Sequence, residues 1–219
     1  MRCHIIFDCD GTLVDSEPLS MRADVALLTR FGITMSEQEA HSRFVGKTFE
    51  AMLDEMTREH GVVFPPGLNA EKNRMMEEMY QTDLRAVPGL HDTLSQLRQN
   101  GHSLSVGSNS PRSRVDLALH ITGITSYFDS IATFEDVANG KPAPDIFRLC
   151  ASRANVPPEN CLVIEDSTTG IAAAVAAGIP ALGYVGAHPH PDEHAKILRA
   201  AGAKFIISDI KEVLTHISA

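Results

Sequence analysis

The stretch Ile5-Ile6-Phe7-Asp8-Cys9-Asp10-Gly11-Thr12-Leu13-Val14-Asp15-Ser16 decides how the rest of the chain is read. It opens on apolar residues rich in β-branching, the pattern of a buried strand. Two carboxylates follow, Asp8 and Asp10, one residue apart, and then Gly11-Thr12. A strand that ends this way delivers both acids to the carboxyl edge of a sheet, where open α/β folds bind ligands. Alternation sends the two side chains to one face if the strand runs on. Gly11 lets the backbone turn away at once.

Working outward, the period changes after Ser16. Leu19, Ala23, Ala26, Leu27 and Phe31 recur at helical steps, with Pro18 suited to a first turn and Gly32 to an end. Further helices are predicted over 36–44, where Ser36 and Glu39 form a capping-box pattern, over 47–60 and over 68–82. Between residues 17 and 84 no stretch alternates as a strand does. Beyond Arg85 strand and helix alternate. Strands are predicted over 103–107, 129–133, 161–165, 180–184 and 204–207, with helices over 88–99, 110–120, 144–153, 168–177, 191–201 and 210–217. Ser110-Pro111 has the form of an N-cap and first-turn pair. Repeated β-α units imply a parallel sheet covered on both faces. The expected fold is therefore α/β: a Rossmann-like parallel-sheet core from residues 1–15 and 85–219, with an all-helical cap inserted as residues 16–84. Hinges are expected near Asp15-Ser16 and between Arg85 and Pro88.

Composition narrows the function. The chain has 219 residues, 43% of them hydrophobic, enough for a sizeable core. Lys plus Arg number 19 against 28 Asp plus Glu, a net charge of −9. That balance argues against nucleic acid or an anionic membrane as partner, and any anion site must be built locally against the overall field. Cys3, Cys9, Cys150 and Cys161 form no Cys-x-x-Cys pair and read as free thiols of a reducing, cytoplasmic compartment. The chain opens without a basic region followed by an apolar run, so no secretory signal is expected. Residues 171–187 carry no charge, but Gly178-Ile179-Pro180 interrupts them and the run is too short for a membrane span. A helix followed by a buried strand accounts for them.

In a parallel sheet the residues just past each strand converge. Those residues are Asp8 and Asp10, then Ser108 and Asn109, then Lys141, then Glu165 and Asp166. Acids, a hydroxyl and a cation make little sense as packing and good sense as a metal-dependent phosphoryl-transfer site. A carboxylate can attack phosphorus to form an acyl-phosphate that water later cleaves. Carboxylate and phosphate repel, so the site must supply positive charge. Mg²⁺ prefers oxygen ligands; Asp8, Asp166 and the Asp10 carbonyl are the natural set. Asp166 could instead cap the helix at Thr168, a role Ser167 fills equally well. Asp10 is the candidate general acid and base. The Ser108 hydroxyl, with backbone N–H groups from Asn109 onward, is the candidate phosphate cradle. Lys141 is followed by Pro142-Ala143-Pro144, which stiffens the backbone and fixes where the side chain points.

The Asp8-x-Asp10-Gly11-Thr12 stretch resembles the nucleophile motif of the haloacid dehalogenase superfamily. Ser108, Lys141 before its proline-rich helix start, and Glu165-Asp166 are similar to that family's second, third and fourth motifs, in order. The resemblance implies Mg²⁺ held by Asp8, Asp10 and Asp166. It leaves Glu165 either as a ligand through water or as an anchor for Lys141. The helical insertion looks like the small cap of the β-phosphoglucomutase-like group, where lid closure would exclude water. Asp10 argues for a leaving oxygen rather than halide, since dehalogenases of the family lack that second aspartate. Mutase members carry a histidine ten residues after it. Ser20 occupies that position, so hydrolysis is the expected reaction and phosphoglucomutase-type transfer the alternative. A non-catalytic phospho-ligand sensor on the same scaffold is a further alternative, but it should have lost Asp8 or Asp10.

The expected substrate is a small phosphorylated sugar, polyol or sugar acid resembling 6-phosphogluconate, turned over by a monomer or weak homodimer. Arg43, Lys47, Lys72 and Arg74 are the cap cations available for its second polar end. Arg43-Phe44-Val45-Gly46-Lys47 is similar to the family's specificity loop and makes Lys47 the expected substrate contact. Solvated helix charge is the other reading of Lys72 and Arg74. His188, His190 and His194, spaced by prolines, read as a solvated loop or helix start, with zinc binding as the alternative.

Overall fold

The computed structural model describes residues 2–44 and 48–217. The chain divides into two compact units, Met1–Asp15 with Arg85–Ala219, and Ser16–Leu84.

The second unit is helical throughout its regular elements: α1 (Glu17–Arg30), α2 (Glu37–Phe44), α3 (Phe49–His60) and α4 (Leu68–Asp83). The Ser36 hydroxyl accepts from the Glu39 N–H at 3.1 Å, as the capping pattern predicts. Thr48 caps α3 by accepting from the Ala51 N–H at 3.2 Å, so the helix expected from Lys47 starts two residues later. Lys47 itself, with Val45 and Gly46, lies outside the described residues. The core of this unit joins Met21, Leu28, Ile33, Met35, Ala40, Phe44, Met52 and Met56. Unbranched, polarisable methionines suit the irregular spaces between short helices. One ion pair is buried among the helices: Lys72 Nζ lies 2.7 Å from Asp24 Oδ1, and both residues are buried. Burial raises the Asp24 carboxyl above its ordinary value and Lys72 pulls it back.

The other unit begins with β1 (His4–Phe7) and resumes with α5 (Leu90–Gln99), β2 (Ser103–Ser108), α6 (Arg112–Ile121) and β3 (Ser130–Thr133). It continues with α7 (Asp145–Ala154), β4 (Cys161–Glu165), α8 (Thr168–Ala177), β5 (Ala181–Tyr184), α9 (Pro191–Ala201), β6 (Phe205–Ile207) and α10 (Val213–Ile217). A single 3₁₀ turn, Ile210–Glu212, precedes α10 where continuous helix was expected.

The six strands form one parallel sheet in the order β3-β2-β1-β4-β5-β6. β1 is central because it is apolar on both faces: Ile5, Ile6 and Phe7 are all fully buried. Each is worth about 1.5–3 kcal/mol relative to an exposed side chain. Ile6 and Val163 of the sheet join Ile146, Phe147, Ile171, Ala174 and Leu198 from α7, α8 and α9 in one cluster. The uncharged run at 171–187 is the alanine-rich α8 followed by β5. Among the described residues no helix is long and apolar enough to cross a membrane. The four cysteines are free thiols.

The order of the strands positions the site. From β1 the chain winds outward through β2 and β3, then returns to the other side of β1 as β4. The reversal opens a crevice at the carboxyl ends of β1 and β4, the place where ligands bind in such sheets. Register sharpens this. Phe7 pairs with Ile164 and the Asp8 N–H donates to the Ile164 carbonyl at 2.9 Å, so Asp8 emerges level with Glu165.

Candidate active site

Asp8, Glu165 and Lys141 form the centre. Lys141 Nζ lies 2.5 Å from Asp8 Oδ1 and 2.7 Å from Glu165 Oε1, bridging β1 and β4. All three residues are buried, and the Lys141 side chain is 2% exposed. An isolated loop lysine is usually solvated; this one is desolvated between two carboxylates and lies 4.8 Å over the Phe147 ring. Burial alone would lower its pKa, but the charges of Asp8 and Glu165 more than offset this and raise it. Burial pushes the Asp8 carboxyl up, Lys141 pulls it down, and Glu165 pushes it up again, to about 7.

The Lys141 backbone is clamped by a neighbouring strand end. Its N–H donates to Asn109 Oδ1 at 2.8 Å, and Asn109 Nδ2 donates back to its carbonyl at 3.0 Å. The Asn109 side chain thus holds the lysine loop, which leaves any phosphate contact at this residue to its backbone N–H. Ser108, buried at the end of β2, accepts from the Ser110 N–H at 3.0 Å through its hydroxyl.

Glu165 has both oxygens engaged. Oε1 meets Lys141, and Oε2 accepts from the Ser167 N–H at 2.6 Å and the Ser167 hydroxyl at 2.9 Å. Of the two roles the sequence leaves open for Glu165, the hydrogen bond to Lys141 is present in the structure. The helix-cap question is answered. Ser167 caps α8, its hydroxyl accepting from the Gly170 N–H at 3.0 Å, so Asp166 is not needed for that purpose. Asp166 instead accepts from the Thr12 hydroxyl at 3.2 Å. Gly11, at φ +76°, passes so close that a Cβ there would overlap the Asp166 carboxylate. Asp8, Glu165 and Asp166 each offer an oxygen within 4.8 Å of the others, a group able to hold a metal ion.

Asp10 has partners that sequence reasoning missed. Its Oδ2 accepts from the Ser110 hydroxyl and, at 3.3 Å, from Arg114 Nη2, which also donates to the Ser110 hydroxyl. Ser110 was expected to cap α6; the structure puts Pro111 at that position with no side-chain cap. The Ser110 oxygen, which a cap would offer to a backbone N–H, accepts from the Arg114 guanidinium, while the hydroxyl donates to the Asp10 carboxylate. The signal for Arg114 was its place one turn after Ser110, on the same helix face.

Other expected residues lie elsewhere. Lys72 is buried against Asp24. Arg43 pairs with Glu55 at 2.8 Å and with Glu59. Both belong to ion pairs of the helical unit rather than standing as open cations; Arg74 is exposed. The three histidines are neighbours but do not offer ligand atoms at metal-site spacing; among the described residues Asp8, Glu165 and Asp166 form the grouping that does. His188 and His194 stack ring on ring, with centroids 3.9 Å apart and planes within 2°.

The chain as a whole is similar to proteins of known sequence and structure. The chain is 32% identical over 198 residues to a 6-phosphogluconate phosphatase of Escherichia coli, covering 88% of this chain and 87% of that protein. It is 31% identical to a phosphorylated carbohydrates phosphatase of Thermotoga maritima, covering 96% and 99%. A fructose-1-phosphate phosphatase of Escherichia coli is 31% identical, over 81% and 94%. Among solved structures, a conserved haloacid dehalogenase-like protein of unknown function from Agrobacterium tumefaciens superposes with a TM-score of 0.86 at 33% identity, covering 100% and 98%. A family hydrolase from Deinococcus radiodurans, solved with bound phosphate and sodium, gives 0.82 at 32% identity, over 99% and 96%. The sequence profile of the haloacid dehalogenase-like hydrolases matches residues 5–184. The strand-end acids, the bridging lysine and these matches agree, and the chain belongs to the haloacid dehalogenase-like hydrolase family.

Proposed function

We propose that this phosphoric monoester hydrolase removes phosphate from a small phosphorylated sugar or sugar acid, with Asp8 as the nucleophile. The observation that carries the reading is Lys141 Nζ, buried within 2.7 Å of both Asp8 and Glu165 with Asp166 alongside. A surplus of carboxylate over ammonium at one strand edge suits a site built for a hard cation as well as a phosphate. The oxygen donors of Asp8 and Asp166, with the Asp10 carbonyl, fit Mg²⁺, which when bound would neutralise the repulsion between Asp8 and the incoming phosphate.

In the first half-reaction an Asp8 oxygen bonds to phosphorus and the ester oxygen leaves, taking a proton from Asp10. In the second, Asp10 takes a proton from water, whose oxygen bonds to phosphorus as the Asp8–phosphorus bond breaks. Inorganic phosphate is released and Asp8 restored. Ser110 and Arg114 hold Asp10 for both transfers. Lys141 offsets the charge of Asp8 and is itself fixed by Glu165 and Asn109. The Ser108 hydroxyl and the backbone N–H groups that follow it cradle the phosphate oxygens.

The substrate class rests on the names of the relatives, which act on phosphorylated carbohydrates. Lys47, outside the described residues, is proposed as the contact for the sugar end. Ser20, on α1, stands where mutases of the family carry histidine, which favours hydrolysis over transfer. The test is phosphate release from p-nitrophenyl phosphate and a panel of sugar phosphates, with and without EDTA. Asp8→Asn should abolish turnover. Equal hydrolysis by wild type and Asp8→Asn would refute the nucleophile assignment.

A further inference from the structure

α9 reaches the fourth strand end through one side chain. His194 Nε2 lies 2.5 Å from the backbone carbonyl oxygen of Asp166. A carbonyl only accepts, so Nε2 carries the hydrogen and donates it. His194 is four residues into α9, whose first turn is set by Pro191, and its own N–H donates to the His190 carbonyl at 3.0 Å. The His188 ring lies flat against the His194 ring and limits its rotation. The donor is thus held from two sides, by the helix backbone beneath it and by a stacked ring over it.

Asp166 needs such a hold. It leaves β4 at the point where the chain turns into α8, and Ser167, the next residue, is committed to capping that helix and to Glu165. Its carboxylate is met from the β1 loop by the Thr12 hydroxyl. Its main chain is met from the opposite end of the unit's sequence by His194. Groups that orient the ligands of a metal commonly change its affinity 10- to 100-fold when removed.

We propose that His194 is a positioning residue for Asp166, fixing the 166–167 peptide so that the carboxylate is presented to the divalent cation. This rests on the reading of Asp166 as a metal ligand. It gives the histidine-proline stretch a role distinct from binding zinc: the first turn of α9 supplies one oriented donor, His194, and His188 before it supplies the ring that steadies it.

The test is Mg²⁺ affinity of the substrate-free enzyme by titration calorimetry. His194→Phe keeps a ring for His188 to stack on but removes the donor, and should weaken Mg²⁺ binding about tenfold. His194→Gln restores an N–H near the Nε2 position and should return affinity to within about threefold of wild type. The melting temperatures of both variants in EDTA should match each other, which separates positioning from general stability. Asp166→Ala is the control. If it loses Mg²⁺ binding while His194→Phe keeps wild-type affinity, the positioning role is refuted and the metal reading stands. If Asp166→Ala also binds as wild type does, the ligand assignment is refuted and the positioning role falls with it. Equal weakening in His194→Phe and His194→Gln would also refute the role, because the donor would then not be what matters.

Discussion

Gly170 sits in the first turn of α8, a helical position where sequence propensity favours alanine over glycine by about 1 kcal/mol. On propensity alone, Gly170→Ala should stabilise the protein. The structure predicts the opposite sign. A Cβ at this position would overlap the carboxylate of Glu165. That carboxylate cannot simply swing aside. Glu165 is 1% exposed, and its oxygens are held by Lys141 Nζ at 2.7 Å, the Ser167 N–H at 2.6 Å and the Ser167 hydroxyl at 2.9 Å. Breaking a buried pair by removing one partner costs about 3–5 kcal/mol. Set against the propensity gain, the net loss is about 2–4 kcal/mol. For a chain of this size that is a fall in melting temperature of about 4–16 °C. Differential scanning calorimetry in EDTA, without substrate, measures it. Phosphatase activity should fall as well, because the Lys141 ammonium loses one of its two anchors. A Gly170→Ala variant that melts at or above the wild-type temperature would refute the packing argument. The cross-check is the same substitution in a Glu165→Ala background. With the carboxylate gone the clash is gone, and alanine should recover its propensity advantage.

Two further predictions concern residues that no motif pointed to. Arg114→Met removes the guanidinium from Asp10 while keeping an unbranched apolar stem; kcat should fall about 10- to 100-fold from misplacement of the proton-transfer group, with melting temperature within a few degrees of wild type and Mg²⁺ affinity unchanged. Unaltered kcat would remove Arg114 from the site. His4 is fully buried in β1, its ring nitrogens 2.7 Å and 2.9 Å from the Ser103 and Ser105 hydroxyls, and burial holds its pKa below the ordinary 6.5. The unfolded chain therefore takes up a proton at this position before the folded one does. The stabilisation is complete above 6.5 and is lost as pH falls through that value toward the lower folded pKa. Melting temperatures between pH 7.5 and 5.5 should drop less steeply in His4→Gln than in wild type; parallel slopes would show that His4 does not contribute.

Much of the molecule was legible because its signals are local. The apolar run before Asp8 names a doubly buried strand without any knowledge of its neighbours. Gly and Pro mark most helix ends within a residue or two. The four strand-end polar groups could be brought together on paper because a parallel sheet has one carboxyl edge. What escaped depends on partners far away in sequence. Lys72 reads as a surface helix charge until Asp24, 48 residues earlier, is seen to meet it inside the helical unit. Ser110 satisfies every rule for a helix cap, yet its hydroxyl donates to a carboxylate 100 residues away and its oxygen accepts from Arg114 instead of a backbone N–H. The Asn109 clamp on Lys141 and the His194 contact with Asp166 are of the same kind, since each joins two segments that no periodicity relates.

The place of β1 in the sheet also bears on how the protein is made. β1 is hydrogen-bonded on one side to residues 103–106 and on the other to residues 161–164. It must wait, apolar on both faces, while the ribosome adds more than half the chain. The helical unit is continuous in sequence and has its own core, so it can fold as it emerges. Long-range closure of this kind is slow relative to local helix formation. Translation paused before β4 should therefore yield nascent chains with protease-resistant helices and no competence to bind phosphate.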